Sequence, residues 1–311
     1  MRILLTGAAG FVGCATARAL RDEGHDVLGI DVRVSDNGGI TEICDLRNIH
    51  GLYRVGRNFS PEAIIHCGGV SGPMLFRDDP TSITEPNISG TVNLLEFGRS
   101  QGIDRFIFCS SIAVYGRQRN PVAPLSEEVS LHPTSVYAAT KVAGEAITNS
   151  YGLSFGIPAV SLRIGKVYGP GRETDCEIRE MILNAINGKR TELPYGAKTP
   201  QHYIFIEDVV RGITTALSAR SYSQPSYNVV GAETVTLAEV AKIVEELIPS
   251  SIITVGEENP PLDDILPPLS YDAARRDFGF KANVRLKDGI GKYSKWLSEA
   301  RGASRASRLH G

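Results

Sequence analysis

The 311-residue chain offers little for disulfides, metals, membranes or nucleic acid. Its five cysteines (Cys14, Cys44, Cys67, Cys109 and Cys176) are odd in number, widely spaced and form no CxxC pair. Four of them lie in or beside apolar runs, so they read as reduced core residues of a cytoplasmic protein. The six histidines show no metal-ligand spacing, and no metal is expected. No apolar run is long enough to cross a bilayer. A net charge of -2 gives no basic field to hold nucleic acid or a membrane surface. The opening stretch, MRILLTGAAGFVGCATA, has the basic, apolar and small residues of a secretory leader. Its glycines are regularly spaced, however, and the leader reading is set aside.

What is present suits one large α/β domain, or one domain with a smaller partner. Short apolar runs at 2–6, 26–31, 63–67, 105–109 and 159–164 predict strands. Amphipathic stretches at 11–23, 87–100 and 135–151 predict helices between them. Continuous apolar strands alternating with helices indicate a parallel sheet covered on both faces. The last third is less regular, with helical patterns at 207–219, 237–247 and 287–299 and short strands at 227–230 and 252–255. Two Pro-Pro pairs, at 260–261 and 267–268, mark loops.

TGAAGFVG places Gly7, Gly10 and Gly13 directly after the first strand and at the opening of a helix. Glycine is wanted there for a tight turn, for close approach of backbone to a pyrophosphate, and for helix–strand packing. The helix N-terminus adds free N–H groups and partial positive charge for the phosphates. Asp31 ends the next strand, roughly 20 residues on, where a carboxylate holds the hydroxyls of an adenosine ribose. That carboxylate repels a 2′-phosphate, so NAD is favoured over NADP. The expected fold is α/β: a Rossmann-type doubly wound parallel sheet over 1–165 that also draws on segments near 201–230. A smaller C-terminal α/β substrate-binding region fills 166–311.

FCSSIAVYG follows a strand and SVYAATKVAGE begins a helix. Tyr137 and Lys141, four apart, share one helical face. A phenol with an ordinary pKa of about 10 is a poor base at neutral pH, and a neighbouring ammonium favours its anion. Ser111 is suited to hydrogen-bonding the substrate oxygen. Together the three residues are equipped to take a proton from a secondary alcohol while hydride leaves its carbon.

With these motifs the chain resembles the extended short-chain dehydrogenase/reductases, the NAD-dependent epimerase/dehydratase family. The likeness runs nearly the whole length, through TGAAGFVG, IIHCGG, NISGTVNLLE, SSIAVYG, YAATK, RIGKVYGPG and YIFIEDVV. It implies Ser111, Tyr137 and Lys141 as the catalytic trio. It further implies an NAD site of Gly7, Gly10, Phe11, Val12, Gly13, Asp31, Asp45, Leu46, Cys67, Gly68, Gly69, Asn87 and Ile164, with Tyr137 and Lys141. A homodimer through a four-helix bundle of the 87–100 and 135–151 helices is also implied, with no nucleic acid or membrane partner.

The groups that grip a nucleotide-sugar's diphosphate in such enzymes have changed here. The usual asparagine of RIGKVYGPG is Lys166, an expected arginine is Gln201, and prolines occupy 260–261 where another is expected. Each lost charge-assisted bond is worth about 1.5–3 kcal/mol. HCGGVSGP resembles the loop of uronate dehydrogenases, which implies Ser71 and Lys166 as substrate contacts; Ser111, Ile112 and Arg172 are the further candidates. Phe11 departs from that group, and Arg172, Arg179 and Lys189 are cations that can still serve a diphosphate. The main expectation is therefore an NAD-dependent dehydrogenase of a small free carbohydrate, a sugar acid, whose carboxylate meets Lys166. The alternative is a nucleotide-sugar 4-epimerase that keeps its NAD. A dehydratase lacks its Asp-Glu pair beside Ser111. A non-catalytic NAD-binding protein fits poorly with an intact Tyr137/Lys141 pair.

Overall fold

Ile3, Leu4 and Leu5 have no exposed surface. A strand apolar on both sides needs cover on both sides, and burial of each such side chain contributes about 1.5–3 kcal/mol. The computed structural model describes residues 1–34, 41–76, 78–119, 122–261 and 264–309. In chain order, β1 (Arg2–Thr6), α1 (Phe11–Asp22), β2 (Asp26–Asp31), β3 (Thr41–Ile43), α2 (Ile49–Gly56) and β4 (Ala63–His66) come first. Next are α3 (Thr81–Thr84), a π-turn (Glu85–Ser89), α4 (Gly90–Gln101), β5 (Arg105–Ser111), a 3-10 turn (Ile112–Tyr115) and α5 (Val136–Phe155). Then come β6 (Ala159–Ile164), β7 (Lys166–Tyr168), α6 (Glu177–Ile186), β8 (Arg190–Tyr195), β9 (Tyr203–Phe205) and α7 (Ile206–Leu217). The chain closes with β10 (Ser226–Val229), α8 (Leu237–Leu247), β11 (Ile252–Glu258), α9 (Asp272–Phe278) and α10 (Leu286–Leu309).

Seven strands form one parallel sheet in the order β10-β6-β5-β4-β1-β2-β3. Ile3 and Leu5 face a core shared with Ala17 and Leu20 of α1 and with Val209 and Ile213 of α7. Leu4 faces the other way, with Leu52 of α2 and Leu94, Leu95 and Phe97 of α4. Helix α5 lies on that second face close to β5, because Gly144 leaves room: a Cβ there would fall 2.4 Å from the Phe108 ring. Strand order reverses between β1 and β4, and in doubly wound sheets the crevice beyond the strand ends at that point receives ligands.

A second core brings together Tyr168 of β7, Phe205 of β9, Ile178 and Ile182 of α6, Leu237 and Val240 of α8, and Ile290 and Tyr293 of α10. Two small sheets accompany it, β8 with β11 and β7 with β9. The main sheet nevertheless takes β10 from this late part of the chain, paired with β6.

Several boundaries differ from expectation. The strand expected to stop at 109 runs to Ser111, since Ser110 and Ser111 keep pairing with Arg163 and Ile164. The helix expected at 87–100 starts as the π-turn, with the Gly90 N–H reaching back to Glu85. Strand β3, helix α2 and strands β7, β8 and β9 were not anticipated, whereas the strand expected at 252–255 is β11; β3 and β7 are three residues each, too short for a periodic signal. Among the described residues no helix is long and apolar enough to cross a membrane.

Candidate active site

The glycine turn has the geometry its spacing predicts. Gly7 sits at φ +70°, in the left-handed region, and a Cβ at Gly13 would lie 2.0 Å from the Gly7 carbonyl oxygen. Gly10 caps α1 without a side chain. The first-turn N–H groups of Phe11, Val12 and Gly13 therefore point out of the helix end, as a pyrophosphate requires. Asp31, at the end of β2, accepts from Ala9 N at 3.0 Å and from Arg33 N at 3.2 Å. This holds its carboxylate against the turn. These residues fit NAD.

Around this cradle the other expected contacts divide. Asp45 is gripped by Arg47, side chain and backbone, and the hydrogen bond from that guanidinium holds its carboxyl below the usual range. Leu46 is buried. Cys67 follows β4, and its Sγ lies 3.3 Å from Cys109 Sγ; that contact and burial push the Cys67 thiol well up. All five cysteines are free. Gly68 N donates to Thr6 Oγ1 at 2.9 Å, and Gly69 takes φ +118° beneath Asn87. Ile164 is the buried end of β6, level with Ser111.

Tyr137 and Lys141 are both buried on α5. Ser135 starts that helix, accepting from Ala138 N at 3.2 Å. Lys141 Nζ donates to the Cys109 carbonyl at 2.9 Å and lies 6.0 Å from the Tyr137 ring centroid. Ser111 Oγ accepts from Ala113 N at 3.2 Å, which uses a lone pair and leaves the hydroxyl proton to donate. Ile112, beside it, is buried in the 3-10 turn.

Around Lys166 the long side chains bond one another. Lys166, on β7, donates to Gln201 Oε1 at 2.5 Å and lies 3.7 Å from Glu177 Oε1 at the start of α6. Tyr203 donates to Glu177 Oε2 at 3.0 Å. Burial works to raise the Glu177 pKa, but Lys166, the residue's own backbone N–H and Tyr203 outweigh it and hold the carboxyl low. Gln201 is buried and exchanges backbone bonds with Val235. Arg172 spends its guanidinium on the carbonyls of Val167, Thr174 and Asp175, which clamps its own loop. Ser71 is exposed.

Motif reading passed over a buried ion pair behind this site. Glu145, one turn beyond Lys141, meets Arg163 of β6 at 2.8 Å, with both side chains under a tenth exposed. Ser110 Oγ donates to Glu145 at 2.6 Å, and Arg163 also donates to the Tyr115 hydroxyl and the Glu127 carbonyl. Helix α5 is thereby pinned to β5, β6 and the 3-10 turn. The available signal was a charge inside the apolar run AVSLRIG, which demands a buried partner.

A seven-stranded parallel sheet, a glycine turn fitted to a dinucleotide, and a Tyr/Lys pair facing the strand ends define a Rossmann-type NAD-dependent enzyme of the extended short-chain dehydrogenase/reductase type. The chain belongs to the NAD dependent epimerase/dehydratase family, whose model matches residues 3–230. It is 30% identical over 265 residues to the uncharacterized UDP-glucose epimerase YtcB of Bacillus subtilis, covering 79% of this chain and 82% of that one. UDP-glucuronate 4-epimerase 1 of Arabidopsis thaliana is 27% identical, over 99% of this chain and 79% of its own. The solved UDP-glucose 4-epimerase of Thermus thermophilus, complexed with NAD, superposes with a TM-score of 0.85 at 29% identity. That match covers 96% of this chain and 100% of that one.

Proposed function

We propose that the protein is a nucleotide-sugar 4-epimerase, interconverting UDP-hexoses or UDP-hexuronates that differ in configuration at C4. The carrying observation is the Tyr137/Lys141 pair, its lysine bonded to Cys109, which meets Cys67 beside the Gly7 turn, in a chain whose relatives include UDP-glucose and UDP-glucuronate 4-epimerases. Those relatives support the epimerase over the free-sugar-acid dehydrogenase that the altered diphosphate positions had favoured.

When bound, NAD supplies the hydride acceptor and donor. Tyr137 takes the proton of the C4 hydroxyl and returns it. Lys141, fixed by the Cys109 carbonyl, places positive charge near the phenol as it ionises. Ser111 donates to the sugar oxygen as a carbonyl forms there. Burial of Tyr137 and Lys141 keeps water from this exchange. Lys166 is the cation offered to the substrate's anionic groups, with Gln201 and Glu177 fixing its direction. A homodimer through α4 and α5 belongs to the proposal, supported by apolar side chains exposed on α5 (Val136, Leu153 and Phe155). So does a cytoplasmic location, supported by five free cysteines.

A dehydrogenase of a free sugar acid remains the second reading, favoured by one observation: Gln201 stands where a diphosphate-gripping arginine is expected. Incubation with UDP-glucuronate, UDP-glucose and a panel of free uronates and aldonates separates the two. C4 epimers of a UDP-sugar without accumulating NADH are expected. Stoichiometric NADH from a free acid, with the UDP-sugars untouched, overturns the epimerase.

A further inference from the structure

The polar residues behind the cofactor cradle form a directed set of hydrogen bonds centred on His66, at the end of β4, and joined to α5 through the backbone and side chain of Asn87. His66, Thr6, Thr91, Asn87 and Thr140 are all buried, none more than 4% exposed. Such a cluster has to satisfy itself, and donor counting then fixes the direction of each bond. Thr91 Oγ1 lies 2.6 Å from the Asn87 carbonyl, which only accepts, so the Thr91 proton is spent there. The contact between Thr91 Oγ1 and His66 Nε2, at 3.0 Å, must therefore be donated by the imidazole.

On the other side, Thr6 Oγ1 accepts from Gly68 N and lies 2.7 Å from His66 Nδ1. An Nδ1 proton would leave the Thr6 hydroxyl proton with no acceptor. A bare Nδ1 receives it. Phe106 and Phe108 pack against the ring, at 6.4 and 5.5 Å between centroids. Burial disfavours a charge on the ring, and the positive charge of Lys141, from α5, acts in the same direction.

Beyond Thr91 the chain continues to the catalytic helix. Asn87 sits in the π-turn, where its side chain accepts from Val70 N at 2.7 Å. It donates to the Val70 carbonyl and to Thr140 Oγ1, each at 3.0 Å. Thr140 donates in turn to the Tyr137 carbonyl at 2.7 Å. Both glycines of the intervening loop are needed for this closeness. A Cβ on Gly68 would come 2.8 Å from Thr6 Oγ1, and one on Gly69 would come 2.5 Å from Asn87 Oδ1.

We propose that His66 is a positioning residue, a neutral imidazole with its proton on Nε2 that ties the cofactor cradle to the helix carrying Tyr137. It rests on Tyr137 being the reacting phenol, but the ring's proton placement is testable with no substrate. In protein labelled with 15N in its histidines, the His66 signals are those lost in His66→Asn. They are expected to be those of a neutral ring protonated at Nε2, unchanged from about pH 8 to pH 5, well below the ordinary histidine pKa. An Nδ1-protonated ring, or one titrating near its ordinary value, overturns the proposal.

Turnover tests the coupling. Thr91→Val and Thr140→Val are each expected to lower kcat about tenfold with KM changed less than about threefold. Thr91→Ser should restore turnover. Because both threonines act through one chain, the double variant should be no worse than the poorer single. Multiplied losses, about a hundredfold, overturn it, as does a Thr91→Ser variant no better than the valine.

Discussion

Around Gly7 to Gly13 the groups that fit a dinucleotide are backbone, held by glycine geometry and by the Thr6 hydroxyl, which accepts from Gly68 N. Around Lys166 the polar groups are long side chains that bond one another, from β7, α6 and the segment before β9. The first arrangement holds an invariant ligand; the second is easily retuned. A pyrophosphate always asks for N–H groups at a helix end. A cation set between a glutamine and a glutamate can be redirected by one substitution, and at this end the sequence departs from the usual sugar-nucleotide pattern.

The contrast can be broken at either end. The largest expected effect is at the chemistry: Tyr137→Phe should lower kcat by about 10²–10⁴-fold. NAD affinity, followed by fluorescence titration, should change less than about threefold. Equal loss of both would make Tyr137 a structural residue of the cradle.

Next is the buried ion pair that pins α5. Arg163→Met leaves the Glu145 carboxylate buried without its cation and should cost about 3–5 kcal/mol in urea denaturation. Adding Glu145→Gln should return part of that loss. A single variant as stable as the parent would show that the pinning of α5 lies elsewhere.

A smaller effect concerns pH. Burial, with the Lys141 ammonium, pushes the His66 ring down to about 3 in the folded protein. The unfolded chain keeps the ordinary value of about 6.5. Below that value the unfolded state binds a proton that the folded state refuses. The stabilisation is thus complete above 6.5 and lost as pH falls toward 3. Between pH 7 and pH 5 the loss should be about 2 kcal/mol. His66→Asn should lack this increment, so parallel stability curves for the two proteins would contradict it.

The smallest effect is expected on the substrate side. Lys166→Ala should raise KM for a UDP-sugar about tenfold, worth about 1.4 kcal/mol, and leave kcat and NAD affinity within about twofold. A matching fall in NAD affinity would merge the two regions.

The same contrast explains what could be read in advance. Gly7, Gly10, Gly13, Asp31, Tyr137 and Lys141 were legible because local spacing fixes their relation: a turn, a strand end, one face of a helix. The parallel sheet was legible from apolar runs between amphipathic stretches. Partners brought together by topology were not. Glu177 meets Lys166 only because α6 starts beside β7, and nothing in RETDCEIRE announces it. Arg163 and His66 did leave a trace, a polar residue inside the apolar runs AVSLRIG and AIIHCGG, but their counterparts lie 18 and 25 residues away and further. Ser71 was read from sequence likeness and Arg172 as a cation of the region; Ser71 lies exposed and the Arg172 guanidinium is turned onto its own backbone.

The decisive measurement follows a deuterium at C4. UDP-glucose deuterated at that carbon, incubated with the purified protein and excess unlabelled NAD, should give the C4 epimer with deuterium kept at C4, because the hydride leaves and returns within one closed site. Deuterium appearing in the free dinucleotide pool, with no C4 epimer formed, would contradict the assignment of this protein as an epimerase.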